Sequence, residues 1–475
     1  TSRVARRLTG PPEPPPDLAA GLAAIREELE VPGEFPADAQ HEAEEAARAP
    51  LPEREDRRDL ELFTIDPVGS MDLDQAMALA RSPGGGYRID YAIADVGAFV
   101  TPGGALDAEA HRRVVTRYLP DGNAPLHPRV LSEGAASLLP GEDRVATLWS
   151  FELEPDGERS SLAVGQALVR SRERLDYAGV QRALDAGGAD ERLLLLQEIG
   201  GVLQERERAR GAINLPIPEQ EIVLRDGVYA LAYRGPQPIE EANAQISLLT
   251  GMAAAELMLE RGLGLLRTLP AAAPEQIERL RRVAAALAID WPPDEPVGEL
   301  LRRLDARRPR DAAFLEEAAT LLRGAGYAAF TDGDPPADAG HAGVAAPYAH
   351  VTAPLRRLAD RYATAACLPG EPPAWLRDAL PAIPPEMAAG GRAAGAVERA
   401  CVDLVEALLL APRVGERFPA MVIDRMGREA VEVQLADPAV RARCEGDGLE
   451  PGQELTVRLE VADPVRRLVH FAPAG

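Results

Sequence analysis

Between Asp59 and Val96 the chain reads DLELFTIDPVGSMDLDQAMALARSPGGGYRIDYAIADV, and no other stretch restricts the fold as much. Leu60 to Ile65 is a mostly apolar run that stops at Asp66-Pro67, and Gly69-Ser70 supplies a turn. A second run, Met71 to Ala80, ends at Ser82-Pro83-Gly84-Gly85-Gly86, and a third spans Tyr87 to Val96. Runs of this length between Gly and Pro clusters predict strands joined by two tight connections. Asp66, Asp72 and Asp74 fall at the first connection, which crowds three carboxylates into one small volume. Like charges that close repel, so the cluster persists either around a divalent cation or with some of its acids protonated. Spacing alone is equally compatible with an oxygen-ligand metal site on a sheet and with a solvated acidic turn.

The size and charge of the chain narrow the function classes. At 475 residues and 46% hydrophobic it can bury one large core and one or two small ones, which suggests two or three domains. The balance of 52 basic against 76 acidic residues, net −24, argues against a protein that coats nucleic acid nonspecifically. A narrow basic channel in an enzyme remains compatible. Every basic residue is Arg, which fits GC-rich codon usage and also suits bidentate phosphate binding and base stacking. Cys367, Cys401 and Cys444 lie far apart without metal-ligand spacing, so a reduced, cytoplasmic setting is expected. No apolar run approaches bilayer length and no signal-peptide pattern opens the chain. A monomer without membrane attachment is the expectation.

The acidic stretch resembles the signature of the RNB exoribonucleases, ribonuclease II and ribonuclease R. Their T-I-D followed by D-x-D-D-A is matched by Thr64-Ile65-Asp66 and Asp72-Leu73-Asp74-Gln75-Ala76. Gln75 stands where the family usually carries a fourth acid. An amide oxygen can ligate magnesium but brings no negative charge. The resemblance implies one or two Mg2+ ions held by Asp66, Asp72, Asp74 and Gln75, with Asp72 and Asp74 catalytic.

A second block, Gly340 to Asp360 (GHAGVAAPYAHVTAPLRRLAD), resembles the family's G-H-x-G … Y-x-H-F-T-S-P-I-R-R-Y-x-D. Thr352-Ala353-Pro354 reads as a helix start with Thr352 as its cap, whose free N–H groups beside Arg356 and Arg357 would form a phosphate site. By the resemblance Arg356 is a catalytic, RNA-contacting residue on the scissile phosphate and Arg357 a structural partner. His341 and His350 receive no chemistry.

Other RNA-binding roles follow from the same resemblance. Tyr118-Leu119-Pro120 is similar to a Y-L-P segment whose Tyr stacks on a base near the 3′ end. SRERLDY, Ser171 to Tyr177, ends in a Tyr implied to read the ribose 2′-hydroxyl. Glu241, at the start of a helix expected over Pro238 to Leu259, is the implied second ribose contact. Arg210 to Leu215 resembles a further motif in which an aromatic usually sits near Leu215.

Three segments complete the expected architecture, an α+β chain. Residues 1–57 are a Pro-rich lead and a small helical module, with Asp17 capping a helix through Leu18, Leu22, Ile25 and Leu29. This module is too short for the cold-shock barrels common in ribonuclease II proteins, and is either helix-turn-helix-like or a brace on the next domain. Residues 58–411 form the RNB catalytic domain, with a β-rich core, surrounding helices and a connector helix from Met387 to Leu410. Residues 412–475 show strands at 415–423, 429–435, 455–461 and 467–471, which with one more between Ala436 and Pro451 make a five-stranded OB-type barrel of the ribosomal-protein S-one kind. Phe418 and Phe471 are its only aromatics. The expected activity is Mg2+-dependent 3′-to-5′ exonucleolytic hydrolysis of single-stranded RNA to 5′-monophosphates and a short end product. The alternative is an RNA-binding relative with impaired catalysis.

Overall fold

The computed structural model describes residues 14–474 except 216, 226, 227 and 428. Two helices, α1 (Pro16–Glu28) and α2 (Ala37–Arg48), precede a six-stranded sheet. Its strands are β1 (Glu55–Asp56), β2 (Leu62–Asp66), β3 (Gln75–Arg81) and β4 (Tyr87–Ala94), followed beyond α3 (Ala105–Arg113) and the small hairpin β5 (Arg117–Leu119) and β6 (Gly122–Ala124) by β7 (Asp143–Leu153) and β8 (Arg159–Asp176). β8 has three partners: its first part runs antiparallel to β7, Ala167 and Leu168 pair in parallel with β1, and its last residues run parallel to β2, so the sheet curls back on itself. That parallel register sets Asp66 opposite Asp176, one residue before Tyr177.

Alternation along the strands divides the core into two faces. Phe63, Ile65, Met77, Tyr91 and Ile93 pack with Leu196, Ile199 and Ile246, whereas Leu62, Ala76, Ala92 and Ala94 pack with Ala43, Leu106 and Leu355. The second strand is shorter than its apolar run suggested, because Met71 to Asp74 is held as a loop by its own contacts. The Leu73 N–H donates to Ser137 Oγ at 3.0 Å, and that hydroxyl donates to the Met71 carbonyl at 2.6 Å. Leu73 is fully buried, which anchors the loop between its two flanking aspartates.

The first of these faces is covered by α4 (Tyr177–Asp185), α5 (Glu191–Arg210) and, after the hairpin β9 (Glu219–Arg225) and β10 (Val228–Arg234), α6 (Pro238–Arg261). The expected hairpin turn at Asp226-Gly227 lies outside the described residues. Strands β11 (Gly264–Thr268) and β12 (Gly326–Phe330) bracket α7 (Pro274–Ala286), α8 (Val297–Arg303) and α9 (Pro309–Ala318), which enclose a separate small core. Leu215 packs on that core, so the Arg210 to Leu215 segment contributes an aliphatic prop there. The chain continues through β13 (Gly340–His341), β14 (Ala346–Pro347), α10 (Leu358–Cys367), α11 (Ala374–Ala379) and α12 (Ile383–Leu410). The Pro-rich segment from Leu368 to Pro385 contains α11 and the first turn of α12. Pro373 holds the cap position of α11 and Pro384 lies in the first turn of α12, where a missing N–H is tolerated.

The C-terminal barrel closes as β15 (Arg417–Arg425), β16 (Ala430–Leu435), β17 (Arg441–Glu445), β19 (Leu468–Pro473) and β18 (Glu454–Asp463), in that spatial order. β17 is the strand expected between Ala436 and Pro451. α12 joins barrel and sheet, and its Glu406 is buried. Its Oε1 accepts from Gln220 Nε2 at 2.6 Å and from the Arg441 N–H at 3.1 Å.

The N-terminal helices do not form a helix-turn-helix unit. α1 buries Leu18, Leu22 and Ile25 against α12, where a Cβ on Gly21 would stand 2.6 Å from Leu404 Cδ2. α2 docks on α3, with the Glu42 carboxylate accepting the Leu106 N–H at 3.0 Å. They act as two separate braces. Pro15 rather than Asp17 holds the cap position of α1, and Asp17 lies in the first turn without a capping bond. Among the described residues no helix is long and apolar enough to cross a membrane.

Candidate active site

Asp66 ends β2, and Asp72 and Asp74 flank Leu73 in the loop before β3. From the far end of the sequence, residues Tyr348 to Arg357 come down beside them. Gly251 on α6 permits that approach, since a Cβ there would lie 2.2 Å from the Tyr348 ring. The Asp74 Oδ1 accepts the Leu355 N–H at 2.8 Å, and Arg356 Nε stands 3.4 Å from Asp74 Oδ2. Leu355 and Asp74 are 281 residues apart in sequence, so only the fold brings acid and cation together.

The expected helix start at Thr352 does not form. α10 begins at Leu358, and Asp360 in its first turn reaches back to accept the Ala353 N–H at 2.7 Å and a bidentate pair from Arg357 at 2.9 and 2.8 Å. With Ala353 and Leu355 donating to carboxylates, this loop is not an open row of N–H donors for an anion. Its available cation is the 45% exposed side chain of Arg356. Arg357 has the structural role expected of it.

Burial dominates the electrostatics. Asp74 is pushed up to about 8 by desolvation, opposed by Arg356 and the Leu355 N–H and reinforced by Asp72. Asp66 is pushed up to about 7, again by desolvation, with Arg356 lowering it and Asp72 raising it. Asp66 Oδ2 is buried without a hydrogen-bond partner. These carboxylates therefore lack positive charge, and their donors are all hard oxygens, the chemistry that suits Mg2+. They are not a preassembled cage: among the described residues no group of three or more His, Cys, Asp or Glu side chains is placed to hold an ion as it stands. Arg356 stands beside them and acts on both Asp66 and Asp74.

Two tyrosines flank the acids. The Tyr118 hydroxyl, on β5, lies 3.5 Å from Asp72 Oδ2. Tyr177 opens α4 beside Asp66 by virtue of the β2–β8 register, and accepts from Asn243 Nδ2 at 2.8 Å. Both hydroxyls are pushed up by burial first and then by the neighbouring carboxylates. Of the two glutamates at the start of α6, Glu240 acts on Tyr177 and pairs with Arg234. Glu241 faces Glu207, and burial and the two neighbouring glutamates push its carboxyl up. Gln75 is used at both ends: Oε1 accepts from the Tyr91 hydroxyl at 2.6 Å and Nε2 donates to the Thr352 carbonyl at 2.6 Å.

Residues that sequence reasoning passed over also line this region. Asn243 and Ser247, whose hydroxyl is 2.8 Å from that of Thr352, share a stripe of α6 with Glu240 at helical spacing. That spacing was a usable signal. Arg174, which acts on Asp66 from β8, and Tyr91 have none, because strand register decides their positions.

Comparison with known proteins agrees with this arrangement. The model of the RNB domain matches residues 54–365, and that of the RNase II-type exonuclease C-terminal S1 domain matches residues 416–474. Exosome complex exonuclease RRP44 homolog A of Arabidopsis thaliana is 30% identical over 325 residues, 65% of this chain and 34% of that protein. Ribonuclease R of Thermotoga maritima is 27% identical over 379 residues, 76% of this chain and 52% of that one. A relative named inactive exonuclease DIS3L2, also from Arabidopsis thaliana, is 29% identical over 343 residues, 65% of this chain and 32% of that protein. The chain thus spans about a third to a half of the length of these curated relatives. The apo form of Mycoplasma genitalium RNase R superposes with a TM-score of 0.85 at 19% identity, covering 96% of this chain and 78% of that one. A domain match over most of the chain, a shared fold and an acidic site on the matched segment place it together: this protein belongs to the RNB family and carries an RNase II-type S1 domain at its C-terminal end.

Proposed function

We propose that the chain is a Mg2+-dependent exoribonuclease that shortens single-stranded RNA from its 3′ end and releases 5′-monophosphates. The observation that carries the reading is the convergence of Asp66, Asp72 and Asp74 on Arg356, with burial holding two of these acids short of compensating charge. Held by Asp66, Asp72 and Asp74, magnesium would supply Lewis-acid neutralisation of phosphate charge and a more acidic attacking water. Arg356 is the mobile partner: its weak 3.4 Å pairing with Asp74 is easily exchanged for a phosphate oxygen, where its fixed charge stabilises the transition state. Tyr118 and Tyr177 flank the acids as stacking and ribose-contacting surfaces, and Asn243 fixes the Tyr177 ring. Glu240 rather than Glu241 has the position to share that ribose role.

The test is incubation of the purified chain with 5′-labelled single-stranded RNA, with Mg2+ or EDTA, beside Asp74→Asn and a matched DNA oligonucleotide. A Mg2+-dependent ladder shrinking from the 3′ end, absent in the variant and on DNA, is the expected result. A second reading has support in Gln75 and in the relative named inactive: an RNA-binding protein without hydrolysis. RNA that is shifted but intact in every lane would select it.

A further inference from the structure

Gln75 opens β3 and lies diagonally across the β3–β4 pair from Tyr91, on the same face of the sheet. Tyr91 is fully buried, and its hydroxyl finds its acceptor in Gln75 Oε1. The other end of the amide reaches the Thr352 carbonyl, four residues before Arg356, and the Thr352 hydroxyl is itself held by Ser247. An amide donates to a carbonyl and accepts from a hydroxyl at the same time. A carboxylate in its place would meet the Thr352 carbonyl as one acceptor facing another, and would have to turn elsewhere for a cation.

We infer that Gln75 is a positioning residue that ties the Arg356 loop to the sheet, and that Asp66, Asp72 and Asp74 alone hold a single divalent cation. The inference rests on the metal-dependent reading of this site. Charge balance agrees with it: three ionised carboxylates against the two guanidinium groups that act on them, Arg356 and Arg174, sum to −1, which one divalent cation already offsets and a second would overshoot. What Gln75 contributes is then part of the placement of Arg356, whose loop is also held by the bond from the Leu355 N–H to Asp74 and by the Thr116 N–H, which donates to the Arg356 carbonyl at 3.0 Å.

Mn2+ is the probe, counted on the full chain by the electron paramagnetic resonance of the free ion. One Mn2+ per chain is expected for the wild type. Gln75→Met should keep that number with affinity within about twofold, and Gln75→Asp should bind a second ion or bind about tenfold more tightly. Tyr91→Phe, which removes one oxygen from a packed ring and keeps the fold, should leave Mn2+ binding unchanged. On RNA, Gln75→Met and Tyr91→Phe should lower kcat about tenfold at nearly constant KM, because a displaced Arg356 is felt in the transition state. Two Mn2+ ions per wild-type chain, or a tenfold loss of affinity in Gln75→Met, would overturn the inference, as would a raised KM with kcat unchanged. The count is read without RNA, so one Mn2+ per chain supports it even where the wild type leaves RNA intact, an outcome that sinks the exonuclease reading alone.

Discussion

The acidic site and the C-terminal barrel handle charge in opposite ways. In the barrel, Arg425, Arg443 and Arg458 are each paired with an acid, Glu450, Glu445 and Glu460. Its two aromatics, Phe418 and Phe471, meet edge to face in the core with centroids 5.9 Å apart, 2% and 1% exposed. The barrel therefore presents neither of these rings for base stacking, and its charge is largely balanced. At the acidic site the fold buries Asp66 and Asp74 without enough positive charge and leaves Asp66 Oδ2 unpartnered. Polar groups satisfied within the fold hold shape, whereas those left short of partners are poised for a ligand.

The largest expected break of this contrast is Arg356→Ala. Loss of the fixed charge proposed to act on the phosphate should lower the rate on the order of 1,000-fold with RNA affinity changed far less, read by single-turnover shortening against filter binding. A rate within tenfold of wild type would remove Arg356 from the reaction. Asp74→Asn keeps an oxygen for the Leu355 N–H but removes charge, so a loss of about 100-fold or more is expected, with the far-ultraviolet circular dichroism unchanged.

A pH test sharpens the same comparison. Asp66 and Asp74 have folded values of about 7 and 8, above the ordinary aspartate value, so the native state favours their protonated forms. Their contribution to stability is fully present below the unfolded value near 4 and is lost as pH rises through 7 and 8. In EDTA the wild type should therefore lose more melting temperature between pH 6 and pH 8.5 than Asp74→Asn, by about 2 °C or more. Mg2+ should restore the difference at pH 8.5, and its binding should release protons in calorimetry in two buffers. Equal pH dependence in both chains would show that Asp74 is not held protonated.

The smaller effects concern the barrel. Glu406→Ala leaves the Gln220 amide and the Arg441 N–H without this acceptor at the joint between sheet and barrel, which should cost about 2 kcal/mol in urea unfolding. Arg458→Ala, an exposed pair with Glu460, should change stability by about 0.5 kcal/mol or less and RNA affinity by under about twofold. A tenfold affinity loss there would make the barrel surface an RNA contact after all.

Much of the architecture was readable along the chain. Short-period alternation located the barrel strands and the central strands, and helical spacing located α1, α6 and α12 to within a few residues. The errors have a common physical cause, contacts supplied from elsewhere. Met71 to Asp74 looks like strand but is taken up by Ser137, and Thr352 looks like a cap but Asp360 captures the backbone of that loop. Glu240 and Glu241 are indistinguishable as text, and the turn of α6 alone decides that it is the charge of Glu240 that acts on Tyr177.

By itself the sequence determined the identities at the site: three aspartates on a strand-ending turn, a glutamine after them, and an arginine far downstream, because covalent order and local periodicity fix which groups exist and which face they can take. Only the tertiary structure decided how those groups spend their valences. Arg356 reaches Asp74 across almost 300 residues of chain, Tyr177 meets Asp66 through strand register, and the Gln75 amide is absorbed by Tyr91 and Thr352. Burial, which raises Asp66 and Asp74, is a property of what packs around a residue, and it appears only when distant segments close over the sheet.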